Sequence, residues 1–238
     1  MEAYYEGARE KMINILHNRF TVDEEWCFGA FSKHINSQSR VLVLALSFRD
    51  TKIANSAQWD IYYGKNTGIY SAGIVESFAP YGMSEANFEW IHYFEDTAQT
   101  AKHKVKNADV LYFPGGLPDK MYLRILELDL LEDIRKHPGV VIGFSAGALI
   151  QLSEYHITPD KDYPNYCYEK GCGLIDAFGI EVHYDATNEI QRESIRRFMM
   201  EKKKPLYAIA DDGAVIVADG CVSTVGNVAF FDISENGV

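Results

Sequence analysis

An apolar run, Val140 to Phe144, breaks off at Ser145 in the stretch GVVIGFSAGALI, and helix-like apolar spacing resumes at Leu149 and Ile150. Few arrangements accommodate that order. A buried strand must turn sharply into a helix, and Gly143 and Gly147, two positions either side of the serine, let the two elements approach without collision. Such a turn projects the serine hydroxyl from the backbone, where a histidine can take its proton and make it a nucleophile. It also aims the first N–H groups of the helix at the group under attack, so the Ala146 N–H is an oxyanion donor on this reading. The plainer alternative is a glycine-rich turn that happens to hold a serine.

The strand-then-helix order recurs. RVLVLALSF (40–48), DVLYFPGG (109–116) and GVVIGF (139–144) read as short buried strands. DTAQTAKHKVKNA (96–108), KMYLRILELDLLEDIRKH (120–137) and NEIQRESIRRFMMEKKK (188–204) read as helices. The alternation predicts an α/β protein with a mostly parallel, doubly wound sheet flanked by helices. Residues 205–233 supply three or four short extra strands with Asp-Gly turns, extending one edge. Residues 52–95 are aromatic-rich and define no element. MEAYYEGAREKMINIL has apolar residues at helical spacing, so residues 1–39 are expected to be a helical N-terminal extension of one domain spanning 1–238.

A net charge of −11 over 238 residues argues against a general nucleic-acid or anionic-membrane binder. No apolar stretch approaches the roughly 20 residues that span a bilayer. The N-terminus lacks the pattern of a signal peptide, and Cys27, Cys167, Cys172 and Cys221 show no metal-binding spacing. The expectation is a cytoplasmic protein with reduced thiols. No G-x-G-x-x-G follows a strand and no H-E-x-x-H occurs, so neither a dinucleotide cofactor nor a catalytic metal is expected. Homo-oligomerisation is left open.

Ligand sites of open α/β sheets lie beyond the carboxyl ends of the strands. Three segments place polar or glycine-rich residues there: PGG (114–116), GFSAG (143–147) and VHYD (182–185). Gly115 and Gly116 can expose backbone N–H groups beside Ser145. Among seven histidines, His183 ends an apolar strand downstream of the serine; most of the others (His17, His34, His92, His103, His137 and His156) read as solvated side chains. A carboxylate should orient the imidazole. Asp211 and Asp212 precede a glycine in AIADDGAVIV, and adjacent strand residues point to opposite faces, so at most one of them serves. Asp185, two residues from His183, is a substitute.

Together LYFPGGLPDKM, VVIGFSAGALI and IEVHY resemble peptidase family S51, which includes aspartyl dipeptidase and cyanophycinase and whose fold is similar to class I glutamine amidotransferases. The resemblance covers roughly residues 40 to 235. It implies Ser145 as nucleophile, His183 as general base and acid, and Asp212 as orienting carboxylate. It further implies Gly116 and Ala146 as oxyanion donors, Gly115 and Arg192 as substrate contacts, and no cofactor. Two positions depart from the family pattern. Leu117 follows Gly-Gly where asparagine is common, and Gln191 stands where aspartyl dipeptidases carry an arginine, with Arg192 turned about 100° away around the helix. The expected function is a serine peptidase acting on small peptides through an acyl-enzyme. An esterase using the same serine, or a non-catalytic ligand- or partner-binding protein, is the alternative.

Overall fold

Alternate residues that are apolar on both sides of a strand force a sheet to be covered on both faces. Val110 and Tyr112 fall into one hydrophobic cluster and Leu111 and Phe113 into another; Val140 and Ile142 are divided from Val141 in the same way. The computed structural model describes residues 3–4, 12–65 and 67–233. Its strands are β1 (Ala3–Tyr4), β2 (Ile13–His17), β3 (Val41–Val43), β4 (Phe88–Trp90), β5 (Val110–Phe113) and β6 (Val140–Phe144). They continue with β7 (Glu154–Ile157), β8 (Cys167–Lys170), β9 (Gly179–Glu181), β10 (Leu206–Ala218) and β11 (Cys221–Phe231). The helices are α1 (Glu25–Phe31), α2 (Ser56–Tyr63), α3 (Ile69–Ser77), α4 (Ala98–Asn107), α5 (Pro118–Glu127), α6 (Leu131–Arg135), α7 (Ala146–Leu149) and α8 (Glu189–Lys202).

The main sheet runs β1-β11-β10-β2-β6-β5-β3-β4, with β9 also paired to β10, while β7 and β8 form a separate hairpin. From β2 to β4 every pairing is parallel. One cluster packs Leu111, Phe113 and Val141 under Ala101, Met121 and Ile134 of α4, α5 and α6. The other packs Val43, Tyr112 and Ile142 under Phe31, Trp59 and Ile74 of α1, α2 and α3. No helix among the described residues is long and apolar enough to cross a membrane, and no disulfide joins the four cysteines.

Three expectations need correction. Residues 13–17, expected in a helical extension, form β2 at the centre of the sheet, parallel to β6 and antiparallel to β10. Ile15 and Leu16 are both fully buried, one in each cluster, and this two-sided burial outweighs the helix-like spacing of INIL. Residues 1, 2 and 5–11 of the expected extension lie outside the described residues. The C-terminal segment is two long strands rather than several short ones. Asp219 and Gly220, both at positive φ (51° and 77°), form the hairpin turn, whereas Asp212-Gly213 lies inside β10. Residues 52–95 fold into α2, α3 and β4 with two single 3₁₀ turns between them.

Candidate active site

Ser145 sits at φ 53° and ψ −115°, between the end of β6 and the first residue of α7. A non-glycine residue there is strained by about 1–3 kcal/mol. The surroundings hold it: the Ser145 N–H donates to the His17 carbonyl of β2 at 2.9 Å, and its own carbonyl accepts from the Leu149 N–H. The small neighbours are required by contact. A Cβ on Gly143 would lie 1.9 Å from the Gly147 carbonyl oxygen, and one on Gly147 would lie 1.9 Å from that of Phe113. Gly147→Ala is therefore expected to destabilise the fold by about 3 kcal/mol or more, through displacement of α7 from β5. Denaturant unfolding with an unchanged m-value and a lowered midpoint checks this.

His183 also has positive φ, 52°. Gln191, in the first turn of α8, fastens that strained residue. Its Nε2 donates to the carbonyls of Val182 and His183, and its Oε1 accepts from the Asp185 N–H. The imidazole spans two partners: Nε2 lies 2.9 Å from Ser145 Oγ, and Nδ1 lies 2.6 Å from Asp211 Oδ1. A carboxylate can only accept, so Nδ1 carries the proton and Nε2 presents its lone pair to the Ser145 hydroxyl.

The carboxylate at His183 is that of Asp211, not Asp212 as expected. The four-residue step from Ile209 to Gly213 on β10 faces the two-residue step from Val228 to Gly226 on β11. This bulge breaks the inside–outside alternation that a regular strand would keep. Buried Asn18 pins it, donating from Nδ2 to the Ile209 and Ala210 carbonyls. Asp185 is occupied elsewhere: its Oδ1 accepts from the N–H and hydroxyl of Thr187, which hold the carboxyl below its ordinary value.

Ser145, His183, Ala146 and Gly116 line one cavity of about 350 Å³. Gly116 takes φ 138°, open only to glycine, and a Cβ there would lie 2.4 Å from the Ser47 carbonyl oxygen. Gly115 faces a neighbouring cavity of about 400 Å³ that shares Gly116. Arg192 does not line the Ser145 cavity; it is half exposed and bonds the Ala186 carbonyl and Glu189. One position along α8 turns a side chain by about 100°, so the inward position belongs to Gln191. Sequence reasoning missed His156 and Glu181, which meet at 2.7 Å and line the Ser145 cavity. The signal was present in YHI and IEV, where a polar residue stands between apolar neighbours. His17 and His137 are likewise buried.

A sharp strand–turn–helix holding serine, histidine and aspartate in hydrogen-bonding order, on a mostly parallel α/β sheet, defines the hydrolase class to which the comparisons also point. The profile of Peptidase family S51 matches residues 66–225. The chain belongs to that peptidase family. A crystal structure assigned as peptidase E from Listeria monocytogenes EGD-e is similar at TM-score 0.66 and 17% identity, over 91% of this chain and 99% of that one. A peptidase from an acI-B1 actinobacterium is similar at TM-score 0.62 and 14% identity, over 94% and 91%. No curated protein matches the chain.

Proposed function

We propose that the protein is a serine peptidase of small peptides, working through Ser145, His183 and Asp211. The observation that carries this reading is the chain Ser145 Oγ–His183–Asp211, with separations of 2.9 and 2.6 Å at a strained elbow. His183 Nε2 takes the hydroxyl proton as Oγ bonds to the scissile carbonyl carbon. The oxyanion is met by the N–H groups of Ala146, first in α7, and Gly116. His183 then gives the proton to the leaving amine as the C–N bond breaks. Water resolves the acyl-enzyme by the same path, restoring the serine.

Restriction to short substrates rests on the 158–171 segment. Thr158, Pro159, Asp160 and Tyr163 wall the cavity. Arg49 ties Asp162 of that segment, and the Tyr163 hydroxyl donates to Asp119. A fluorophosphonate probe is expected to label Ser145 alone, with peptide cleavage lost in step, as read by intact mass and peptide mapping. Cleavage that survives full labelling would refute the reading.

A further inference from the structure

The two cavities that meet at Gly116 differ in charge. Among the described residues, the lining of the Ser145 cavity includes Asp160 and Glu181 but no lysine or arginine. Glu181 is 3% exposed, and its Oε2 accepts from His156 Nε2 at 2.7 Å and Thr158 Oγ at 2.8 Å. The other ring nitrogen of His156, Nδ1, is buried without a partner among the described residues. Asp160 turns Oδ1 back to its own loop, accepting from the N–H groups of Asp162 and Tyr163. Gln191, at the same wall, spends its amide on the backbone around His183 and brings no charge.

Across Gly116, the second cavity is walled by Phe48, Ile53, Tyr63 and Phe144 and holds the cations Arg49 and Lys52. Arg49 is committed to Asp162. Lys52 has no carboxylate partner among the described residues; its ammonium donates to the Tyr70 hydroxyl at 2.6 Å and lies 4.3 Å from the Tyr62 ring centroid.

We infer that the substrate is a short peptide with a basic residue on the acyl side of the scissile bond and an apolar residue carrying a free carboxylate on the leaving side. This rests on the peptidase reading above. With the scissile carbonyl oxygen at Gly116 and Ala146, the two flanks of the bond fall into the two cavities. Electrostatics sets the direction. An ammonium or guanidinium is drawn to the Glu181 side and a carboxylate to Lys52, and the reverse placement would set like charges together. An acidic side chain beside Glu181 would lose its hydration and gain no lysine or arginine, so it is rejected rather than read.

The test compares kcat/KM for Arg-Leu, Leu-Leu, Asp-Leu and Leu-Arg, with fluorophosphonate labelling of Ser145 run in parallel. The order Arg-Leu, Leu-Leu, Asp-Leu is expected, with at least tenfold between first and last and Leu-Arg below Leu-Leu. Glu181→Gln should shrink the Arg-Leu to Leu-Leu ratio at least fivefold. Lys52→Met should erase the preference for Arg-Leu over its C-terminal amide. If Ser145 is labelled but Asp-Leu or Leu-Arg matches Arg-Leu, or none of the four is cut, the specificity is overturned while the nucleophile stands. If Ser145 is not labelled and no peptide is cut, the peptidase reading fails and takes the specificity with it.

Discussion

Asp211→Asn should lower kcat for peptide hydrolysis by about 10⁴-fold, and Asp212→Asn by less than threefold. The first figure is the scale of loss when a triad aspartate becomes an amide. The amide no longer fixes the proton on Nδ1 of His183, so the Nε2 lone pair is no longer held toward Ser145. Four decades correspond to about 5.5 kcal/mol of transition-state stabilisation. Ser145→Ala and His183→Ala should cost as much or more, and the double variant Ser145→Ala/Asp211→Asn little beyond the single ones, because the groups act as a unit. Rates read from amino-acid release by mass spectrometry decide the matter. An inactive Asp212→Asn beside an active Asp211→Asn would transfer the role to the neighbouring carboxylate.

Acid should unfold the protein through His17. The His17 imidazole lies in β2 between the Phe31 and Phe144 rings, with both nitrogens unpartnered among the described residues. Burial lowers its pKa to about 3. The unfolded chain binds a proton at this residue below its ordinary value near 6.5, while the folded chain refuses it. Stability is thus intact above pH ~6.5 and falls as the pH drops toward 3, by up to about 5 kcal/mol in all. His17→Met should flatten this dependence and, by removing unpaired polar atoms, raise stability at neutral pH by about 1–3 kcal/mol. Urea midpoints at pH 7, 5.5 and 4.5 check both effects. An equal acid loss in wild type and variant would clear His17 of the role.

How far the sequence reveals this molecule depends on whether local or long-range forces set each feature. The elbow is legible in its local half: Gly143 answers a contact with Gly147 of the same turn, which the pattern GFSAG carries, whereas the neighbour of Gly147 is Phe113 on β5. His183 is legible for a similar reason, since it closes an apolar run. The acid is not, because the bulge that selects Asp211 depends on the pairing of β10 with β11 and on Asn18, far away in the chain. Nor is β2, whose five residues take strand form only because β6 and β10 flank them. In α3, Ile69, Ile74 and Val75 leave no clear polar face, which hides the helix from periodicity.

Strand β2 separates the strand that ends at Ser145 from the strand that carries Asp211. During synthesis it emerges before both of its partners, which come from residues 140–144 and 214–217, so its pairing must wait for them. A nascent chain can display Ser145 well before Asp211 has left the ribosome, and the two reach their working separation only when that gap in the sheet is filled. The joining of the Ser145 strand to the Asp211 strand through β2 is thereby deferred until residues 214–217 have been made.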